Sequence, residues 1–159
     1  MVWGAISYYG QTQLHIFKSR QKINAAVYTT TVINTYFSSA RRLHPQFFKH
    51  WLEDHYYQLM QDNAAPHTAQ YTLETLLMMN INILKNWPAN SPDLTPSENV
   101  WSWMARKVTM HTPRTTETLA QWARHYWNKI DANMRRALIL SVPVRLLKCL
   151  ANFGHSIKY

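Results

Sequence analysis

Two acidic residues stand where a carboxylate serves either chemistry or local structure. Asp62 follows the aromatic and apolar run His55–Gln61 and precedes Asn63, as aspartate does where a strand enters a turn. Glu98 closes the string Thr95-Pro96-Ser97-Glu98, which fits a helical capping box with Thr95 as the cap. Carboxylate oxygens are also the hard ligands that Mg²⁺ prefers. Taken alone, these residues favour a turn former and a capping residue.

The segments around these acids alternate between strand-like and helix-like patterns. A hairpin is predicted by an apolar run, Val2–Ser7, and an alternation of polar and apolar residues, Gln13–Phe17, with the turn-prone Tyr9-Gly10 between them. The later predicted elements are a helix over Ala25–Phe37, a helical turn over Gln46–Trp51, a strand over His55–Gln61, a helix over Thr68–Met79, a strand over Ile81–Leu84, a helix from Pro96, and helix from Pro113 to Leu150 with one break at Pro143. This order predicts an α/β fold with a helical C-terminal tail.

Two of the predicted helices carry apolar residues at spacings that place them on one face. On the helix over Thr68–Met79 these residues are Leu73, Leu76, Leu77 and Met78. On the helix from Pro96 they are Trp101, Met104, Ala105 and Val108. We expect both faces to be buried, and the seven tryptophans to lie mainly in the core, with Trp3 and Trp87 as candidates for a place near a site.

Positive charge is concentrated in the last third of the 159-residue chain. Residues 1–100 hold seven Lys and Arg against six Asp and Glu, whereas residues 101–159 hold ten against two. Such asymmetry suggests a polyanionic partner, with nucleic acid first, and a solvated basic face is the alternative. Cys149 is the single cysteine and no histidines pair at metal-ligand spacing, so no zinc site is predicted. The longest apolar stretch is interrupted by charges, so no membrane partner is expected.

Three motifs together are more specific than any of these features alone. They are MVWGAIS at 1–7, QDNAAPHTA at 61–69 and NWPANSPDLTPSENVWSWM at 86–104. In order and distance they resemble the DDE transposases of the mariner superfamily, as does the closing segment VPVRLLKCLANFGHSIKY. The resemblance covers nearly the whole chain. A retroviral-type integrase is disfavoured, because the WPANSPDLTPSENVW string is particular to the transposase group.

The resemblance implies an RNase H-like fold, a mixed sheet flanked by helices, with acids that hold two Mg²⁺ or Mn²⁺ ions for DNA cleavage and strand transfer. Asp62 matches the second family acid and Glu98 the third, with thirty-five residues between them. His67 matches a histidine that orients a phosphate or a metal-bound water, or else caps the following helix. Asn63 is a further candidate for support of the site, and Asp93 reads as part of a structured turn.

The first acid of the family lies on a strand upstream of the VWG strand. The chain begins at the VWG strand, and neither Glu53 nor Asp54 suits the missing role. We therefore expect the first strand and its aspartate to be missing, and little or no strand cleavage by these residues alone. The predicted organisation is a partial RNase H-like domain over residues 1–112, with a basic helical extension over residues 113–159.

The expected partner is double-stranded DNA, at transposon ends and targets, with a homodimer as the working form and a nuclear location in a eukaryote. The candidate phosphate contacts are Arg106, Lys107, Arg114, Arg124, Lys129, Arg135 and Arg136. For each of them the alternative is a solvated helix face. Two functions stay open: a metal-dependent transposase domain, or a non-catalytic remnant that binds DNA or protein.

Overall fold

The structure, a computed structural model, describes residues 1–43 and 58–158. The chain divides into two compact units. The central unit is Arg20–Asn90, and the terminal unit combines Met1–Ser19 with Ser91–Tyr159. The predicted turn over Gln46–Trp51 and the first part of the predicted strand His55–Gln61 lie outside the described residues.

Strands and helices alternate in the first part of the chain, and helices alone follow. In chain order the elements are β1 (Val2–Trp3), β2 (His15–Ile16), α1 (Ala25–Leu43), β3 (Gln58–Leu59), α2 (Ala65–Thr68), α3 (Gln70–Met78), β4 (Asn82–Ile83), α4 (Pro96–Thr109), α5 (Thr116–Asn128), α6 (Ala132–Leu140) and α7 (Val142–Ala151). β1 and β2 pair antiparallel, whereas β3 and β4 pair parallel. The described residues thus form two separate two-stranded sheets, one antiparallel and one parallel. None of the helices in these ranges is long and apolar enough to cross a membrane.

The predicted hairpin is confirmed in the terminal unit. Val2 pairs with Ile16, and the amide of Ser7 donates to the carbonyl of Gly10 at 2.7 Å, which closes the turn. Gly4 lies where a side chain has no room, because a Cβ there would sit 2.7 Å from the ring of Trp127. The hairpin backbone thus lies directly against a core tryptophan.

The core of the terminal unit is apolar and aromatic. Val100, Met104, Trp127 and Ile130 are buried together, and the ring of Trp101 stacks on Trp127 at a centroid distance of 5.2 Å. The indole Nε1 of Trp127 donates to the carbonyl of Thr12 at 2.6 Å. Packing on this tryptophan therefore joins the hairpin to α4 and α5.

The predicted apolar face of α4 is partly wrong. The helix begins at Pro96 as expected, and Met104 and Val108 are buried, but Ala105 is exposed and Val100 is buried in its place. The buried positions recur every four residues from Pro96, which places them on one line along the helix. Because Ala105 is small, its apolar character carried little information about its direction.

The helical stretch predicted from Pro113 to Leu150 is confirmed, but the one break predicted at Pro143 is wrong in number and position. A break separates α5 from α6, and the carboxylate of Asp131 accepts from the amide of Met134 at 2.9 Å, so that it caps α6. Pro143 does not break a helix. It lies in the first turn of α7, where a missing N–H costs no helical hydrogen bond.

In the central unit, α2 and α3 connect the parallel strands β3 and β4. The helix predicted over Thr68–Met79 is confirmed as α3, which begins two residues later because Ala69 has an extended conformation with φ −58° and ψ 136°. α3 ends at Met78, and Asn80 follows with a φ of 54°, a left-handed conformation that asparagine tolerates well. The predicted helix over Ala25–Phe37 is confirmed, and it extends to Leu43.

The predicted apolar face of α3 is wrong. Leu76 is buried, but Leu73 is exposed, as are Leu77 at 70% and Met78 at 75%. The other buried residue of this helix is Thr72. Hydroxyl side chains also line the buried side of α1, which packs against α3; these are Thr29, Thr31, Thr35 and Ser39. The described part of the central unit therefore buries several hydroxyl groups beside its apolar side chains.

Candidate functional site

Asp62 lies in the turn that follows β3. One carboxylate oxygen, Oδ1, accepts a hydrogen bond from the amide of Ala64 at 3.1 Å, which is the geometry of an Asx turn. The side chain is nevertheless 70% exposed. A carboxylate has about four acceptor sites, so the turn uses only part of its capacity. Asp62 is thus both a turn former and an available oxygen ligand.

His67 fixes the same carboxylate from the side. Its Nδ1 lies 2.5 Å from Oδ1 of Asp62 and 3.3 Å from the backbone carbonyl of that residue. Since a carboxylate only accepts, the proton of this contact belongs to Nδ1. The alternative that His67 caps a helix is wrong, because α2 and α3 follow Ala64 and Ala69 and have no side-chain cap.

Tyr28 and Gln61 hold His67 in turn, and the sequence did not single them out. The hydroxyl of Tyr28, on α1, donates to Oε1 of Gln61 at 2.5 Å, and Nε2 of Gln61 donates to the carbonyl of His67 at 3.2 Å. The rings of Tyr28 and His67 lie 4.1 Å apart between centroids. Gln61 precedes Asp62 in the motif, which was a signal; Tyr28, thirty-three residues away, had none.

Two further hydrogen bonds attach this loop to the central unit. The hydroxyl of Thr72 donates to the carbonyl of Pro66 at 2.6 Å and receives a hydrogen bond from Thr29 at 3.1 Å. The amide Nδ2 of Asn63 donates to the carbonyl of Trp87 at 3.1 Å. Trp87 itself is buried, in line with its predicted core role. Asn63 therefore ties the loop to the residue before Pro88.

Glu98 lies in the terminal unit, in the first turn of α4. The capping box is absent, because the hydroxyl of Thr95 donates to the carbonyl of Ser91 at 3.0 Å and makes no cap bond. The Glu98 side chain is exposed, and its carboxylate makes no hydrogen bond or ion pair with any other described residue. The structural alternative for Glu98 is therefore not realised.

Asp93, in contrast, accepts hydrogen bonds with both its side chain and its backbone carbonyl within the terminal unit. Its Oδ2 accepts from the amide of Ile157 at 2.8 Å, and its backbone carbonyl accepts from the buried guanidinium of Arg145 at 3.0 Å. Arg145 also donates to Asn99 at 3.0 Å and to Ser141 at 2.7 Å. These contacts fit the structured turn predicted for Asp93. Arg145 is a structural residue that the sequence analysis did not identify.

The candidate phosphate contacts differ in exposure. Lys107 is half-buried, and the exposed members are Arg106, Arg114, Arg124, Lys129 and Arg136. The guanidinium of Arg136 lies 5.2 Å from the centroid of the Tyr8 ring. These five side chains are presented to solvent, and they remain candidates for contact with a polyanion.

The expectation that Arg135 reaches phosphate from solvent is wrong. The residue is only 7% exposed, and its guanidinium donates to the carbonyl of Ser7 at 3.1 Å and to Gln11 at 2.9 Å. Burial and the neighbouring Arg136 lower the pKa of Arg135, and Asp131 partly opposes them. Arg135 instead joins α6 to the hairpin turn.

The described residues contain no cluster of three or more His, Cys, Asp or Glu side chains that would hold a metal ion. Both candidate acids are exposed, Asp62 in the central unit and Glu98 in the terminal unit. Exposed carboxylates are suitable donors for a hard divalent cation. Asp62 and Glu98 could therefore each contribute one carboxylate ligand to such an ion.

No family model matches the chain. The Tc3 transposase of Caenorhabditis elegans is 28% identical to it over 162 residues, which cover 100% of the chain and 45% of that protein. The Tc1 transposase of the same organism is 26% identical over 99 residues, covering 62% of the chain and 36% of that protein. The chain thus spans less than half the length of these curated relatives.

Solved transposase structures are also similar to the chain over nearly its whole length. The Mos1 transposase catalytic domain, solved with raltegravir and Mn, matches with a TM-score of 0.83 and 25% identity, covering 99% of the chain and 78% of that domain. The chain is therefore similar over its whole length to transposases of the Tc1 and mariner kinds, and its fold is the RNase H-like fold of the Mos1 catalytic domain.

Proposed function

We propose that the chain is part of a DDE transposase domain that cleaves and transfers DNA strands with two Mg²⁺ or Mn²⁺ ions. Asp62 and Glu98 serve as the second and third acidic ligands. The Asp62 carboxylate carries this proposal most directly, since it is exposed although Ala64 and His67 both orient it. The Mos1 catalytic domain was solved with Mn and with Mg, which supports the choice of ions.

In this role the residues of the chain supply orientation and charge. When bound, the two ions activate a water or a DNA 3′-hydroxyl and stabilise the leaving oxygen of an in-line phosphoryl displacement. Asp62 presents its remaining acceptor sites from a turn held on α1 and α3, and Asn63 ties that turn to Trp87. Glu98 presents its carboxylate from a helix packed through Val100 and Met104.

DNA is the proposed substrate, and the exposed basic residues of the terminal unit are its proposed phosphate contacts. They are Arg106, Arg114, Arg124, Lys129 and Arg136, with the half-buried Lys107 beside them. Such contacts neutralise phosphates and carry no base information. Mos1 was solved as a paired-end complex with a transposon end, which supports DNA binding by a dimer. A nuclear location in a eukaryote is part of the same proposal. The extension over residues 113–159 carries most of this charge.

A second candidate function is DNA binding without catalysis. It is favoured by the same exposed basic residues, together with the lack of a cluster of three metal-ligating side chains in residues 1–43 and 58–158. The two candidates differ in one measurable respect. Catalysis requires a divalent ion, whereas binding by charge neutralisation depends on salt and is indifferent to the metal.

The test uses a full-length transposase polypeptide that contains this chain. We expect Asp62→Asn and Glu98→Gln each to abolish Mg²⁺- or Mn²⁺-dependent cleavage of transposon-end DNA, since each removes a charged ligand. Glu74→Gln is the matched control in the central unit and Glu117→Gln in the terminal unit, because both acids are exposed. Circular dichroism checks that all four variants are folded.

Retained cleavage in both Asp62→Asn and Glu98→Gln would refute the site. Fluorescence anisotropy with a labelled duplex then decides the second candidate. If the wild type binds DNA with an affinity that falls steeply with salt and ignores Mg²⁺, while no variant or metal supports cleavage, the chain is a binding module.

A further inference from the structure

We propose that Tyr28 is a positioning residue for the Asp62 carboxylate, acting through Gln61 and His67. The inference rests on the proposed function, in which Asp62 is a metal ligand. It adds a residue of α1 to the site, far from the QDNAAPHTA motif in sequence. Tyr28 has no direct contact with Asp62 in this role and is therefore not a catalytic residue.

The first step is the burial and bonding of Tyr28. The residue is 2% exposed, so its hydroxyl depends on protein partners. That hydroxyl donates to Oε1 of Gln61 at 2.5 Å. An accepting carbonyl oxygen on Gln61 leaves its amide nitrogen to donate, and Nε2 does so to the carbonyl of His67 at 3.2 Å. Tyr28 thus sets which end of the Gln61 amide faces His67.

The second step is the placement of the His67 ring. Tyr28 packs against it at 4.1 Å between centroids, while Gln61 holds the backbone of the same residue. The imidazole is only 20% exposed, and its Nδ1 meets Asp62 at 2.5 Å. A ring held by one neighbour's face and by its own carbonyl has little freedom to rotate. The Asp62 carboxylate is oriented in turn by its contacts with His67 and Ala64.

The third step separates positioning from simple support of the fold. The loop is attached to the same helices by a second, neighbouring route, because Thr72 bonds Pro66 and is bonded by Thr29. That route does not involve the Tyr28 hydroxyl. Removal of this one hydroxyl should therefore leave the loop attached while it loosens His67 and Asp62.

The experiment compares Tyr28→Phe with Tyr71→Phe in the 159-residue chain. Both changes remove one phenolic hydroxyl, but Tyr71 is exposed on α3 of the same unit. Two-dimensional NMR of ¹⁵N-labelled protein reports the ring nitrogens of His67, and Mn²⁺ is added as the metal probe. Thermal unfolding, followed by circular dichroism, confirms that both variants fold.

We expect the wild-type spectrum to show the His67 proton on Nδ1, and Tyr28→Phe to shift or average that signal while Tyr71→Phe leaves it unchanged. We also expect Tyr28→Phe to raise the Mn²⁺ concentration needed to broaden the signals around Asp62. The effect should be smaller than the about tenfold change that follows loss of a direct hydrogen-bond partner of a metal ligand, because Tyr28 acts through Gln61 and His67. We do not expect any exposed tyrosine to replace the lost Tyr28 hydroxyl in holding Gln61 and His67.

An unchanged His67 signal in Tyr28→Phe overturns the inference, whatever the metal does. The proposed function fails differently. If Mn²⁺ broadens the signals around Asp62 equally in the wild type and in Asp62→Asn, then Asp62 is not a ligand, while the histidine spectrum still decides whether Tyr28 positions the pair. The two failures are therefore distinguishable in one set of samples.

Discussion

The two units bury different chemistry. The interior of the terminal unit is a cluster of aromatic and aliphatic side chains around Trp127, with two buried arginines at its margin. The interior of the central unit also contains apolar side chains, such as Val32 and Leu76, but it adds a row of buried hydroxyl groups from α1 and α3. Each unit presents one candidate acid, so Glu98 is positioned by packing and Asp62 by hydrogen bonds. The difference indicates that hydrogen bonds hold the loop of Asp62, whereas the burial of apolar side chains holds the helix of Glu98.

The largest expected effect on the free energy of unfolding comes from the apolar core of the terminal unit. Trp127→Ala should lower the free energy of unfolding by about 3–5 kcal/mol, because a buried aromatic side chain is replaced by a cavity and the carbonyl of Thr12 loses its donor. Urea denaturation followed by tryptophan fluorescence measures the change. Phe153→Ala, at an exposed aromatic residue of the same unit, is the control and should have almost no effect. Equal losses in the two variants would show that Trp127 does not dominate this core.

A smaller effect is expected in the hydroxyl-lined interior. Thr72→Val keeps the side-chain shape but deprives the carbonyl of Pro66 of its donor, at an expected cost of about 1–2 kcal/mol. Amide hydrogen exchange over residues 61–69 should also become faster. The matched control is Thr75→Val on the same helix, since the Thr75 hydroxyl bonds only the carbonyl of Tyr71 within α3. If both variants behave alike, hydrogen bonding to the loop is not what stabilises it.

The smallest effect is expected on the outer face of α3. Leu77→Gln should change the free energy of unfolding by less than about 0.5 kcal/mol, because this leucine is exposed. Leu76→Gln places the same side chain one position earlier, in a fully buried site, and should be strongly destabilising. Chemical denaturation of the two variants compares them directly. A large loss in Leu77→Gln alone would reverse the assignment of buried and exposed sides.

Some of the fold followed from local sequence patterns. Alternation predicted the hairpin of β1 and β2, and Pro96 marked the start of α4. The face of α3 did not follow, because a sequence pattern assigns leucine to the interior and threonine to the surface. Here Thr72 is buried, since its hydroxyl has two partners, while Leu77 is exposed. Such an inversion depends on tertiary hydrogen bonds that periodicity cannot detect.

The candidate site was predictable in part for a similar reason. Asp62, His67 and Glu98 came from motifs, whereas Tyr28 is joined to the site only through tertiary structure. Charge misled in the same way, because Arg135 was counted with the surface although it is buried against the hairpin turn. Hydrogen bonds between residues far apart in sequence produce no periodic pattern from which they could be predicted.

The terminal unit is assembled from both ends of the chain. Trp127 bonds Thr12 across 115 residues, and Arg135 bonds Ser7 across 128. During synthesis the hairpin leaves the ribosome before these partners and waits for them for roughly 5–25 s at ordinary elongation rates. The central unit is continuous and has no such delay. The apolar residues of the hairpin, Ile6 and Leu14, stay uncovered throughout that interval. The nascent chain is therefore most exposed to aggregation, and most in need of a chaperone, before residue 127 emerges.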